Sequence, residues 1–168
     1  VAVLAAASMS APASAGPREV QAERLTAIAR AIPADTRAKH ARAAWDKALT
    51  ASETAYPAGD FRIGAALTEQ ALAMQAAGDI PGAEKQMARA IAVLKAAPGA
   101  PPAAMIKALI NEGNLQSILG QNGKAEPLMR EALAAQLKLD PGPSAMQGEI
   151  RFELGVLLQQ EGRIPDAM

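Results

Sequence analysis

The sequence holds few residues whose types and spacing could do chemistry. Its single histidine, His40, lies among positive charges in the run from Arg37 to Arg42. A general base needs a partner within hydrogen-bonding reach, and none is near it in the sequence, so we predict a histidine on the solvent side of a helix. The chain has no cysteine, which excludes disulfides, thiolate catalysis and sulfur-ligated metals.

A loop and a pair of carboxylates are the remaining candidates for chemistry. The loop Gly120–Lys124 has the final glycine and lysine of a phosphate-binding loop, but Ile118 stands at the earlier glycine position and Ala125 replaces the Ser or Thr that binds magnesium. Glu149 and Glu153 are four residues apart on one predicted helix, which is typical of a solvated face. We therefore expect no catalytic residue, no cofactor and no metal in this segment.

The composition predicts an all-α protein. Acidic and basic side chains balance at 17 each, so the charge gives no electrostatic footprint for nucleic acid. Half of the residues are hydrophobic, but half of these are alanine, and only four are aromatic. Alanine is the best helix former and is poor in strands. Helices that pack closely, with breaks where Pro and Gly cluster, are the expected elements.

The first 15 residues predict a signal peptide. They form an apolar stretch that passes into small residues and ends Ala13-Ser14-Ala15, the A-x-A form that signal peptidase accepts. We expect cleavage after Ala15 and a periplasmic or secreted protein, although the basic n-region and the initiator Met are absent. The alternative is an Ala/Ser/Pro-rich tail on a cytoplasmic protein. No membrane span is expected, because about 20 apolar residues are needed and this shorter run contains Pro12.

The chain repeats itself with a period of 42 residues. Three glycines set the register, since 120 minus 78 and 162 minus 120 are both 42. Alanine matches are common by chance in a chain this rich in alanine. The evidence for the period is therefore that Gly, Leu, Glu, Met and Pro agree with the same offset. The offset relates Leu67 to Leu109, Ala71 to Gly113 and Gly155, Ala83 to Ala125, Met87 to Met129, Ala90 to Ala132, and Pro101 to Pro143.

Each repeat is predicted to contain two helices. The first ends at the glycine, which supplies the left-handed backbone of a helix C-cap, and the second is closed by a connector rich in Pro and Gly. One period earlier the glycine is missing, and we predict a degenerate unit with one helix ending near Ala31 and another starting near Asp35 or Thr36. Trp45 there takes the methionine position as a core residue. The predicted units are 18–55, 62–103, 104–145 and an unfinished unit, 146–168.

The positions of the small residues distinguish two families with helical repeats of about this length. Tetratricopeptide (TPR) repeats place a small residue on the first helix, another at the start of the second, and an alanine seven residues later. Gly113, Ala125 and Ala132 have this spacing. The longer period and the run Ala125–Leu133 resemble the kinesin-light-chain type of TPR. The resemblance implies a TPR-like right-handed superhelix, an α-solenoid of helix-turn-helix pairs.

The chain departs from this family at several leucine positions. Gln70 and Glu112 stand one residue before the small position, where leucine is usual, and Arg151 replaces the leucine seen at Leu67 and Leu109. These departures leave the exact packing of the first helices open. Pro127 fits the family, because it is expected in the first turn of a second helix, where its missing N–H costs nothing.

The resemblance implies a scaffold for protein–protein interaction, which binds a protein or peptide partner in a groove lined by the first helices. Lys107, Asn111 and Asn114 would present a cation and two amides on one helical face, to meet an acidic side chain and a peptide backbone. Position by position, the groove residues carried over are Ala65, Thr68, Glu69 and Leu72; Lys107, Ile110, Asn111 and Asn114; Glu149, Phe152, Glu153 and Val156.

An alternative role concerns the protein beyond Met168. The repeats are then the N-terminal regulatory or targeting region of a larger exported enzyme, such as a CHAT-type caspase-like peptidase, and this segment itself is not catalytic. The unfinished last unit also predicts an exposed apolar helix face, through which the chain would self-associate.

Overall fold

The computed structural model describes residues 15–32 and 38–163 of the chain. These residues form seven α-helices and contain no strand, which confirms the predicted all-α class. The helices are α1 (Pro17–Arg30), α2 (Ala38–Ala55), α3 (Phe61–Ala76), α4 (Ile80–Ala96), α5 (Pro102–Ile118), α6 (Asn122–Leu139) and α7 (Ala145–Gln160).

The helices form a linear array. Each packs mainly against the helix before it and the helix after it in the chain, and in addition α3 touches α5 and α5 touches α7. The helices α3, α5 and α7, which are predicted first helices, therefore lie next to one another along one side. Such stacking is the architecture of a repeat protein, in which neighbouring units share their core.

The turn glycines of the repeat reverse the chain as predicted. Gly78, Gly120 and Gly162 have φ values of 84°, 71° and 74°, the left-handed conformation that side chains avoid. At the first of them, the N–H of Asp79 donates to the carbonyl of Met74 and the N–H of Gly78 donates to that of Gln75. Equivalent bonds follow at the other two glycines. This is the Schellman arrangement, which satisfies the last carbonyls of a helix.

The 42-residue register places the core. Residues at matching positions of successive units are buried together, with relative exposures of 2% or less for both members of each pair. Trp45, at the methionine position of the first unit, is 6% exposed and packs with Ala29, Ala48 and Ala73, as expected for a core residue. The matching buried pairs are Leu67 and Leu109, Ala83 and Ala125, Met87 and Met129, and Ala90 and Ala132.

Small residues let the two helices of a unit approach each other closely. A Cβ added to Gly113 on α5 would lie 2.8 Å from the terminal methyl of Met129 on α6. On α3, a Cβ added to Gly64 would lie 2.7 Å from Cγ of Leu94 on α4. Both methionine and leucine are buried, so each glycine opens the space that a large side chain of the paired helix fills.

One helix differs from the sequence prediction at its start. Pro127 was expected in the first turn of α6, but α6 begins at Asn122, directly after the turn residue Gln121, and Pro127 is its sixth residue. The helix starts early because the left-handed Gly120 already reverses the chain. Pro127 therefore leaves the carbonyl of Gly123 without its helical N–H partner, and the exposure of Gly123 lets water take that place.

Several predictions fall wholly or partly outside the described residues. The signal peptide lies almost entirely in residues 1–14, the start expected near Asp35 or Thr36 lies in residues 33–37, and the final stretch of the unfinished unit lies in residues 164–168. Within the described residues, α1 ends at Arg30, close to the predicted end near Ala31. None of the helices in the described part of the chain is long and apolar enough to cross a membrane.

Candidate functional site

The side chains that the sequence offered for chemistry lie exposed or half-buried on the described helices. His40 is exposed on α2, as predicted for a surface residue. No group of three or more His, Cys, Asp or Glu side chains comes together in the described ranges. Glu149 is exposed and Glu153 half-buried on α7, and neither forms an ion pair with another described residue.

The candidate surface is the side on which the first helices lie next to one another. Three positions of the unit recur there, and in α3, α5 and α7 they carry exposed or half-buried side chains. We call these nine residues the first-helix face. They are Ala65, Glu69 and Leu72 on α3; Lys107, Asn111 and Asn114 on α5; and Glu149, Glu153 and Val156 on α7.

An ion pair joins the first two helices of this face. Nζ of Lys107 lies 2.5 Å from Oε1 of Glu69, and the two side chains are 49% and 23% exposed. The sequence suggested Lys107 as the group that meets an acidic side chain of a partner. In the structure Lys107 already has a carboxylate, so its charge helps to hold α5 against α3.

The two amides of the face differ in what they leave free. Nδ2 of Asn111 donates to the carbonyl of Lys107 in its own helix, at 2.8 Å, which leaves its Oδ1 as an acceptor. Asn114 is half-buried and makes no hydrogen bond with its side chain to another described residue. It therefore offers both a donor and an acceptor to a ligand.

A fourth predicted groove position lies inside the array. Thr68 is 2% exposed and donates its hydroxyl to the carbonyl of Gly64, and Ile110 is 8% exposed in a core cluster with Ile150 and Leu154 of α7. Ile150 and Leu154 of the following first helix cover Ile110. Phe152 occupies the same position on α7, the last described helix, and is 69% exposed. Because Thr68 and Ile110 are core residues, we leave this position out of the first-helix face.

The two polar departures from the leucine pattern are both buried side chains that form side-chain hydrogen bonds. Nε2 of Gln70 on α3 donates to Oδ1 of Asp46 on α2, at 2.7 Å. Glu112 on α5 is 7% exposed and accepts a hydrogen bond from Nε2 of Gln116, also at 2.7 Å, and this amide lies 3.3 Å from Oε1 of Glu84 on α4. The sequence marked both positions as unusual, and the i, i+4 spacing of Glu112 and Gln116 is visible in it, but the partner of Gln70 lies 24 residues away on another helix and cannot be found from spacing alone.

Burial raises the pKa of the Glu112 carboxyl above its usual value, and the nearby carboxylate of Glu84 adds to this. The hydrogen bond from Gln116 and the charge of Lys124 act in the opposite direction. Oε2 of Glu112 and Oε1 of Gln116 have no hydrogen-bond partner among the described residues. A proton on Oε2 of Glu112 would turn this oxygen into a donor, which could then bond to the unpartnered Oε1 of Gln116.

Solved structures with the same arrangement of helices exist. BtubC (BKLC) from P. vanneervenii aligns with a TM-score of 0.73 over 88% of this chain, at 18% sequence identity. A Podosopora anserina protein described as a kinesin light chain with nearly identical TPR-like repeats aligns with a TM-score of 0.69 over 92% of this chain, also at 18% identity. The chain has the fold of a TPR-type repeat array. The predicted resemblance to TPR repeats and the predicted fold class are thus confirmed.

These similarities concern the fold. The chain spans 59% of the length of BtubC and 74% of the Podosopora anserina chain. A single-substitution form of the Podosopora protein aligns equally well, with a TM-score of 0.69 over 88% of this chain. No protein-family model matches the sequence, and no curated protein matches it.

Proposed function

We propose that the chain is a protein-interaction scaffold that binds an extended segment of a partner protein across the first-helix face. The observation that carries the proposal is a row of side chains at one position of successive units. Leu72, Asn114 and Val156 are all half-buried. They lie on helices that contact one another in space, α3 with α5 and α5 with α7. The row presents, between two aliphatic side chains, an amide that bonds to no other described residue.

The chemistry of this row fits a peptide in extended conformation. The Asn114 amide can donate to a backbone carbonyl and accept from a backbone N–H of the ligand. Leu72 and Val156 offer apolar contact to ligand side chains on either side of that point. Because Lys107 is paired with Glu69, the face selects the ligand mainly by backbone pairing and apolar contact, and less by an acidic side chain.

The proposal is tested with a random peptide library displayed on phage and selected against the purified chain. Selected peptides are then measured by fluorescence anisotropy against the chain and against Asn114→Ala. We expect the variant to raise Kd by about three- to tenfold, the effect of losing one or two hydrogen bonds.

The matched control is Gln86→Ala. Gln86 is a half-buried amide on α4, outside the first-helix face, and its side chain makes no hydrogen bond to another described residue. The proposal requires that its loss leaves Kd unchanged. Peptides whose Kd responds equally to both variants, or to neither, would contradict binding at the first-helix face.

A further inference from the structure

A second surface, separate from the first-helix face, lies between α1 and α2. It is an open groove of about 600 Å³ lined by side chains of both helices, among them Leu25 on α1 and Ala51 on α2, which are half-buried. We call it the N-terminal groove. Ile28 on α1 is 45% exposed nearby in the sequence, so apolar surface extends along this helix. The lining residues are Arg18, Gln21, Leu25, Asp46, Lys47, Thr50, Ala51 and Thr54.

The repeat shows what this kind of groove holds. One period later, Leu25 and Ala51 correspond to Leu67 on α3 and Val93 on α4. Leu67 is completely buried in a cluster that includes Leu49 of α2, and Val93 packs against the same cluster. The matching surface of the next unit is therefore covered by an α-helix, namely α2.

The same comparison extends to the charges. Arg89 on α4 forms an ion pair with Glu53 of α2, at 2.5 Å. One period earlier, Lys47 occupies the position of Arg89 and lines the N-terminal groove. Lys47 and Arg18 form no ion pair with another described residue. In the next unit, the cation Arg89 is paired with a carboxylate of the covering helix α2. In the N-terminal groove, Lys47 occupies the same position without such a partner among the described residues.

Three of the other four polar side chains of the N-terminal groove are already bonded within the protein, the exception being Gln21. Thr50 and Thr54 donate their hydroxyls to the carbonyls of Asp46 and Thr50 in their own helix, at 2.9 and 2.8 Å. Oδ1 of Asp46 accepts from Gln70. These bonds leave apolar contact, the two cations and the Gln21 amide to recognise an occupant.

We propose that the N-terminal groove binds an amphipathic α-helix of a partner protein. The occupant is a helix that carries an aliphatic residue in the place of Leu49 and a carboxylate one turn later, in the place of Glu53. The aliphatic side chain packs on Leu25 and Ala51, and the carboxylate pairs with Lys47. This site and the first-helix face are independent, so either can fail without the other.

The probe is a fluorescein-labelled peptide with the α2 sequence, residues 38–55, titrated with the full 168-residue chain. We expect saturable 1:1 binding in fluorescence anisotropy. Lys47→Glu in the chain raises Kd about two- to fivefold, the effect of one exposed ion pair, and a Glu53→Lys peptide recovers the loss. Lys85→Glu, an exposed lysine on α4 outside the groove, leaves Kd unchanged. Circular dichroism confirms that each variant keeps its helix content.

Four results would overturn the proposal. The first is no binding, or binding that is indifferent to Lys47→Glu. The second is binding weakened by Arg89→Glu instead, which means that the peptide displaces the chain's own α2. The third is self-association that Lys47→Glu abolishes in sedimentation velocity, which makes a second copy the occupant. The fourth is binding only by residues 16–168, which makes the N-terminal segment the occupant.

Discussion

At the turn between α5 and α6, a single backbone angle decides how the chain reverses. Gly120 has φ of 71°, whereas Gly123, three residues later, lies in the helix α6 and would meet no atom within 4 Å if it carried a Cβ. Substitution of Gly120 tests the need for a left-handed backbone, whereas substitution of Gly123 tests only the low helix propensity of glycine.

Gly120→Ala is expected to lower the free energy of unfolding by about 1–2 kcal/mol, because an L side chain is strained at this φ. Gly123→Ala is expected to leave it unchanged or raise it by up to about 1 kcal/mol, because alanine is the better helix former. Urea unfolding followed by circular dichroism measures both. Equal effects of the two substitutions would contradict the assigned turn.

Glu112 gives a pH dependence of stability with a defined sign. Burial raises its pKa in the folded chain, so the folded state binds the proton more tightly than the unfolded state. Its contribution to stability is complete below the unfolded pKa of about 4.5 and is lost as the pH rises through the raised folded pKa. We expect Glu112→Gln to be more stable than the parent chain at pH 7, with the difference disappearing near pH 4.

Glu126→Gln is the control of opposite sign. Hydrogen bonds from Arg163 and Arg130 lower the pKa of Glu126, so its contribution is present above its unfolded pKa and is lost as the pH falls through the lower folded value. Urea unfolding of both variants at pH 4, 5.5 and 7 tests the pair. A Glu112→Gln chain that follows the parent chain at every pH would show that Glu112 is not buried in solution.

At the scale of the helices, short side chains and prolines mark most of the starts. Asp60, Asp79 and Ser144 accept from backbone N–H groups in the first turns of α3, α4 and α7, as N-caps do. The helix α6 has no side-chain cap and contains Pro127 in its second turn. In α4, by contrast, Pro81 lies at the beginning of the helix, where proline costs nothing.

Pro127→Ala is expected to raise the free energy of unfolding by about 1–3 kcal/mol, because it restores the hydrogen bond to Gly123 and removes the ring from the helix interior. Pro81→Ala is the control and is expected to change stability by less than about 0.5 kcal/mol. Thermal unfolding compares the two. If Pro127→Ala destabilised the chain, α6 would have to begin later than at Asn122.

At the scale of the whole molecule, ion pairs between second helices match each unit to its neighbour. Glu53 on α2 pairs with Arg89 on α4, and Lys95 on α4 pairs with Glu131 on α6. One period separates Glu53 from Lys95 and Arg89 from Glu131, so the same contact recurs with its charges reversed. A pairing of Glu53 with Glu131 would place like charges together, which disfavours stacking out of order.

The repeat made most of the fold predictable. Glycine, leucine and methionine at a fixed offset identified the turns and the core, because those roles depend on the unit itself. Roles that depend on the neighbouring unit were not predictable in the same way. Thr68 and Phe152 share one position, yet the first is buried and the second is exposed. Gln70 likewise bonds to Asp46 on the adjacent helix α2.

The most direct test of the account is to locate the bound peptide. Amide shifts of the ¹⁵N-labelled chain are followed by NMR as a library-selected peptide is added. The scaffold proposal predicts that the largest changes lie on α3, α5 and α7, centred on Leu72, Asn114 and Val156. Changes centred on α2, α4 and α6, with those three residues unaffected, would contradict it.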